Sequence, residues 1–282
     1  MNEFIEILKV IVLGIIEGVT EWLPVSSTGH IILVNEFLHL NVSEGFENLF
    51  TVVIQLGAIL AVPILFFDKL WPFSKKKSRE ERGRIISLWG KVIVGVLPAA
   101  VLGLLLDDVI DSYLMTFIVV AVALIVYGIA FILVERWRKN KPARIESVYD
   151  IGYKDALFIG AFQVLSLVPG TSRSGSTILG GMLGGVSRTA ASEFSFFMAI
   201  PVMLGASGLK VCKYFLDGNS LNQLEIVLLL VGIVVSFLVS VLVIRFLMNF
   251  VKRHDFKVFG IYRIALGIVL IAYFLFRYVI YA

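Results

Sequence analysis

Six apolar blocks recur along the chain, at 48–67, 87–106, 113–134, 193–216, 224–250 and 258–281, each broken by few charges. Their lengths lie near the roughly 20 residues that a helix needs to cross a hydrocarbon core. Four apolar pieces of another kind, at 4–23, 28–40, 155–168 and 176–186, are shorter or interrupted by polar residues. The pattern predicts six membrane-spanning helices and four helical pieces for which a full crossing is a poor description.

Composition agrees with a life in lipid. Of 282 residues, 59% are hydrophobic and 16% charged, against about half apolar in soluble domains, and the mean hydropathy is +0.93. The net charge of +4 does not mark a nucleic-acid partner, because the basic residues sit in connections between apolar blocks. Connection 68–86 holds Lys69, Lys75, Lys76, Lys77, Arg79, Arg82 and Arg84, and 136–154 holds Arg136, Arg138, Lys139, Lys141, Arg144 and Lys154. By the positive-inside bias these face the cytoplasm. Connection 107–112 (Asp107, Asp108 and Asp111) and connection 217–223 carry no Lys or Arg and read as outside, whereas Lys252, Arg253 and Lys257 put the last connection inside. Six spans then alternate without conflict.

That parity constrains the short pieces. Segment 41–47, with Glu44 and Glu47, belongs outside. With the N-terminus also outside, 4–23 and 28–40 form a re-entrant helix-loop-helix pair. Segments 155–168 and 176–186 form a second pair dipping from the opposite side. The alternative puts residue 1 inside and makes 4–23 a true span. Irregular backbone at membrane depth is tolerated only within protein or beside a watery cavity, so two dips imply a central cavity. The N-terminus, with Glu3 and Glu6 and no clean cleavage site, reads as part of the mature chain. Cys212 is the sole cysteine, which excludes an intrachain disulfide and a thiolate cluster. Its apolar neighbours predict a buried bystander.

An internal repeat fits the same arrangement. GIIEGVTEWLPVSSTGHIIL (14–33) aligns without gaps on GAFQVLSLVPGTSRSGSTIL (160–179), pairing Gly14 with Gly160, Glu17 with Gln163, Ser26 with Ser172, Thr28 with Ser174 and Gly29 with Gly175. The chain reads as one all-α integral membrane domain of two inverted repeats, about 1–135 and 150–282, joined by a basic cytoplasmic loop. Inverted repeats with broken helices build binding sites near the membrane midplane.

The polar residues inside these segments carry the chemistry. Glu17 and Glu21, four apart on a helix, project from one face about one turn apart. Ionisable groups at membrane depth are functional candidates, and paired carboxylates suit a hard divalent cation such as Mg²⁺; the plain alternative is contact with interfacial water. After Pro24, the stretch Ser26, Ser27, Thr28, Gly29 and His30 opens a new helix, offering hydroxyls and free N–H groups to an anion. Simple N-capping accounts for part of that. Beside two acids, His30 reads as an acid–base group. The second stretch, PGTSRSGST (169–177), repeats the pattern and adds Arg173, whose fork suits phosphate oxygens, unless it pairs with a structural carboxylate or reaches an interface. Phosphate-binding candidates are Ser26, Ser27, Thr28, Thr171, Ser172, Arg173 and Ser174. Gly180, Gly181, Gly184 and Gly185 form two GxxxG spacings and predict close helix packing. Together these groups make a phosphoryl-transfer inventory. No Walker, Rossmann or HExxH motif is present, against a nucleotide enzyme or zinc protease.

EGVTEWLPVSSTGH (17–30), PGTSRSGSTI (169–178) and FTVVIQLGAILAV (50–62) resemble signature stretches of the bacterial undecaprenyl-diphosphate phosphatases, also called bacitracin-resistance proteins. The resemblance implies hydrolysis of a long-chain isoprenyl diphosphate to the monophosphate carrier used in cell-wall synthesis, with Mg²⁺ or Ca²⁺. It implies six spans and two re-entrant pairs in the bacterial cell membrane, often as a homodimer, with the site open to the outer side. The family's acidic pair falls on Glu17 and Glu21, its serine and histidine on Ser27 and His30, and its phosphate-binding arginine on Arg173. Whether Ser27 or a metal-bound water attacks phosphorus stays open. A lipid transporter or flippase is the main rival, since fold does not fix function. A purely structural scaffold ranks last.

Overall fold

The computed structural model describes residues 2–43, 45–109, 113–114 and 116–281; Glu44 and Asp111, two of the acids assigned to outer connections, lie outside the described residues. Within these limits the chain is all-helical, without a β-strand. The helices are α1 (Asn2–Thr20), α2 (Ser27–Asn35), α3 (Phe46–Leu65), α4 (Phe67–Leu70), α5 (Arg79–Val109) and α6 (Phe117–Arg138), then α7 (Tyr153–Val164), α8 (Arg173–Leu183), α9 (Arg188–Leu216), α10 (Gln223–Phe250) and α11 (Lys257–Tyr281). Six of them, α3, α5, α6, α9, α10 and α11, are long and apolar enough to cross a membrane. They correspond one for one to the six apolar blocks.

Helix ends differ from block ends for a physical reason. The apolar window marks hydrocarbon depth, while caps mark where the helix stops. α5 therefore starts at Arg79 rather than 87, where Ser78 N–H donates to Glu81 Oε2 at 2.7 Å and Glu81 N–H donates to Ser78 Oγ at 3.1 Å, a reciprocal capping box. Ser187 starts α9 early with a single cap, accepting from Ala190 N–H at 3.2 Å. The piece expected at 28–40 is helical only as far as Asn35.

Lipid tails are as apolar as leucine, so helices in a bilayer associate by close approach. α6 and α11 cross where a Cβ on Gly128 would sit 2.6 Å from the Gly260 carbonyl oxygen, and α7 meets α5 where a Cβ on Gly160 would sit 2.1 Å from that of Gly95. Only glycine permits either crossing. α1 lies along α10 and α7 along α5, so each short helix is held by a long helix from the opposite part of the chain. Trp22, edge-on to Phe196 at 5.2 Å, and the buried Phe194 and Phe197 fill the centre beneath the two polar loops.

Two expectations need correction. Gly180 and Gly181 do face close neighbours, since a Cβ would sit 2.7 Å from Phe162 Cβ on the first and 2.9 Å from Ala191 Cβ on the second, but a Cβ on Gly184 would meet nothing closer than 3.4 Å. Gly184 caps α8, and Gly185, at φ +87°, turns the chain out of the helix. The second glycine pair ends the helix; it does not pack it. Cys212 is exposed, not buried, because an apolar neighbourhood on a membrane helix describes the lipid-facing side as well as the core.

Candidate active site

The first polar loop is shaped by the end of α1. Glu21 N–H donates to Glu17 O at 3.0 Å, so the helical turn persists through Glu21 and keeps both carboxylates on one face. The chain then reverses through Pro24 and enters α2 at Ser26. Ser26 and Ser172 are the two non-glycine residues with positive φ among the described residues, at 74° and 72°. Each caps its short helix, Ser26 Oγ accepting from Gly29 N–H at 3.4 Å and Ser172 Oγ from Gly175 N–H at 3.1 Å. A left-handed serine costs about 1–3 kcal/mol and clusters at functional sites. The two caps leave the first N–H groups of α2 and α8 without backbone acceptors, a ready anion cradle.

The loops meet through Arg173. Its Nε and Nη2 donate to Glu21 Oε1 at 3.3 and 3.0 Å, and its Nη1 donates to Ser195 O at 2.8 Å. Ser27 Oγ donates to the other oxygen of the same carboxylate, Glu21 Oε2, at 3.3 Å. Ser174 Oγ ties the second loop to the first by donating to Glu21 O at 3.1 Å, and lies 3.2 Å from Ser172 Oγ. Arg173 and Glu21 are both largely buried, with side chains 12% and 10% exposed. A buried ion pair is often no more stabilising than apolar residues of the same volume, so packing alone does not account for this one.

Glu17 is more unusual. It is 0% exposed, and neither carboxylate oxygen has a partner among the described residues. An unpaired buried carboxylate carries a penalty of several kcal/mol, which a proton or a cation relieves. Thr171 Oγ1 is likewise buried and has no partner among the described residues, while Thr28 is half-buried in the first turn of α2. The orphaned Glu17 oxygens, with Glu21 one turn on, fit a hard divalent cation. No group of three or more His, Cys, Asp or Glu suited to a metal occurs among the described residues, so substrate or water oxygens would have to complete the shell.

His30 makes its own hydrogen bonds outside this cluster. Its Nδ1 is 2.7 Å from Ser26 O and its Nε2 is 2.6 Å from Tyr262 Oη. A carbonyl only accepts, so Nδ1 carries the proton and Nε2 accepts from the phenol. The two rings stack at 5.6 Å. His30 bonds neither Ser27 nor Glu21, so the structure fixes the histidine to α11 while Glu17, Glu21, Ser27 and Arg173 gather in the site.

Three contributors were absent from the sequence reading: Tyr262, Arg263 and Ser195. Arg263 is 0% exposed. Its Nη1 donates to Pro24 O at 3.1 Å, and its Nη2 donates to Gly170 O at 2.9 Å and Thr171 O at 2.8 Å. One guanidinium thus clamps both loops. The rule that singled out Glu17 and Arg173, an ionisable group inside an apolar block, applies equally to Arg263. No comparable signal marks Tyr262 or Ser195.

Fold and site together define a multi-pass helical membrane protein whose polar centre is assembled from two hydroxyl-rich loops. The bacitracin resistance protein BacA family model matches residues 10–269. The chain is 55% identical to an undecaprenyl-diphosphatase of Enterococcus faecalis over 273 residues, covering 97% of this chain and 99% of that protein. It is 54% identical to undecaprenyl-diphosphatases of Limosilactobacillus fermentum, covering 96% of this chain and 98% of that one, and of Streptococcus thermophilus, covering 95% and 93%. The chain belongs to the BacA family.

Proposed function

We propose that this protein is a membrane hydrolase that removes the terminal phosphate of undecaprenyl diphosphate, yielding undecaprenyl phosphate and inorganic phosphate and so recycling the lipid carrier. The observation that carries the site assignment is one carboxylate, Glu21, shared between a serine hydroxyl and an arginine from the other loop. In the resting arrangement Arg173 neutralises Glu21. An arriving diphosphate offers the guanidinium more charge, so Arg173 transfers its fork to phosphate oxygens and leaves Glu21 free to accept a proton. Ser27 Oγ then attacks the terminal phosphorus. Its proton passes to Glu21, the bond from phosphorus to the bridging oxygen breaks, and undecaprenyl phosphate departs. Water hydrolyses the resulting phosphoserine, returning the hydroxyl and releasing phosphate. The N–H groups opening α2 and α8, with Ser26, Thr28, Thr171, Ser172 and Ser174, hold the non-reacting oxygens.

Glu17 and Glu21 are the residues that would hold Mg²⁺ or Ca²⁺. Such an ion, when bound, supplies neutralisation of the diphosphate charge. His30 keeps the α2 entrance in register through Ser26 O and Tyr262, and reaches the reaction through Ser26 rather than through Ser27.

The re-entrant pairs and the inverted repeat belong to the same proposal, supported by the matched caps at Ser26 and Ser172. Basic connections on one face support placement in the bacterial cell membrane with α1 and α2 entering from outside. The test is phosphate release from undecaprenyl diphosphate by the purified chain in detergent, with and without chelator. Release that stops with chelator and with Ser27→Ala supports the scheme. Release unaffected by Ser27→Ala makes water the nucleophile, and lipid movement in liposomes without phosphate release replaces the enzyme by a carrier.

A further inference from the structure

A second cationic feature lies away from the reaction site. The end of α6, the connection after it, the start of α9 and the end of α10 enclose a cleft of about 330 Å³ lined by Arg138, Lys141, Arg188 and Lys252, with Thr189 and Glu146. It adjoins Met182, near the end of α8 remote from Arg173, about 14 Å along that helix at 1.5 Å per residue. None of the residues lining it bonds to Glu21, Ser27 or Arg173.

The charges in the cleft do not cancel. Arg188 Nε and Nη2 donate to Glu135 at 2.8 and 2.5 Å, and Glu135 also accepts from Phe256 N–H at 2.9 Å. That fork locks the guanidinium in place, and its Nη1 has no partner among the described residues. The Lys141 ammonium is steadied 3.6 Å over the Trp137 ring. Arg138 and Lys252 form no ion pair among the described residues. Arg144, the nearby candidate, is already committed to Asp155 and to Gly184 O. Four cations therefore face Glu146 in the lining and Glu135 behind it, while Asp255, which also faces Arg188, is balanced by its ion pair with Lys257, so a surplus of two positive charges remains. Ser187 caps α9 by accepting from Ala190 N–H, which leaves the N–H groups of Arg188 and Thr189 without an acceptor at the head of a helix of 29 residues.

The positive-inside bias explains basic residues in the connections, but not their convergence from 138–141, 188 and 252 onto one concave surface. Trp137 and Leu133, exposed on α6 beside it, set the cleft at the border of apolar and polar surroundings. Basic pockets between membrane helices at that depth take phosphate-bearing headgroups.

The geometry points to a second anion site in this cleft, binding a phosphate group through Arg138, Lys141, Lys252 and the free N–H groups of α9, with an anionic lipid headgroup or free phosphate as its source. Calorimetry on the purified full chain in detergent tests it. The probes are short-chain phosphatidic acid, inorganic phosphate and, as control, short-chain phosphatidylcholine. Arg173→Ala serves as the background, so that binding at the reaction site does not contribute. Phosphatidic acid binding alone identifies the headgroup, and inorganic phosphate binding as well identifies the bare phosphate as sufficient. Each of Arg138→Gln, Lys141→Gln and Lys252→Gln is expected to weaken binding about fivefold, and the triple variant about a hundredfold. Phosphate release by the triple variant in the otherwise unaltered chain is expected to stay unchanged, which also reports correct folding. The exposed Lys252→Gln alone, and weakening of wild-type binding by salt, keep the test valid if the triple variant fails to fold. Equal binding by wild type and Lys252→Gln, equal binding of phosphatidylcholine, or no binding by any probe overturns the proposal.

Discussion

Replacing Arg263 tests whether the two loops act as one unit. The residue is fully buried on α11 and makes three bonds to carbonyls, one in the first loop at Pro24 and two in the second at Gly170 and Thr171. Lysine keeps the charge but has one nitrogen on a shorter stem, so it serves one loop and abandons the other. One lost hydrogen bond to a charged donor if the first loop is abandoned, or two if the second is, at about 1.5–3 kcal/mol each, comes to about 1.5–6 kcal/mol. Global stability does not absorb all of this, because α11 is still packed along α6 through Gly128 and Gly260. The remainder falls on loop alignment, and at about 1.4 kcal/mol per tenfold it slows turnover by about 10-fold and by up to about 10⁴-fold. The assay is phosphate release by purified Arg263→Lys in detergent, well below its melting temperature, with a thermal melt alongside. A variant that turns over within about threefold of wild type refutes the clamp.

Other outcomes follow from single contacts. Glu17→Met removes a buried carboxylate that has no partner among the described residues, so turnover is expected to vanish while the thermal midpoint in chelator rises by about 2–8 °C; a lower midpoint contradicts the reading. Tyr262→Phe keeps the ring stacked on His30 but removes the phenol that bonds Nε2, a neutral bond worth about 0.5–1.5 kcal/mol, and turnover is expected to fall about 2–10-fold. A larger drop in steady-state rate measurements returns His30 to the reaction itself. Gly160→Ala drives a Cβ to 2.1 Å from a backbone oxygen of α5, so thermal unfolding is expected to show a loss of at least about 1–3 kcal/mol.

Much of this architecture was readable because lipid simplifies the code. A helix must carry about 20 apolar residues to cross, so the six blocks mapped onto α3, α5, α6, α9, α10 and α11. Polar residues within that background stand out by cost, which is why Glu17, Glu21, Ser27 and Arg173 were visible and proved to be neighbours. What stayed hidden was direction. His30 turns to Tyr262, a residue far along the chain that no spacing rule connects to it. Arg263 was lost because its segment was read as a whole, apolar on average. Cys212 and the glycines at 184 and 185 failed for a related reason: on a membrane helix, apolar composition does not separate core from lipid, and a glycine spacing does not separate a crossing from a helix end.

The central claim is that Glu21 and Arg173, from separate loops, form one diphosphate site. A double-mutant cycle on phosphate release from undecaprenyl diphosphate tests it most directly, using Glu21→Gln, Arg173→Gln and the pair in the purified chain. Residues acting as a unit are strongly non-additive, so each single change is expected to cost about 10³-fold or more and the double no more than about tenfold beyond the worse single. Fully additive losses, or either single variant within about tenfold of wild type, contradict the account.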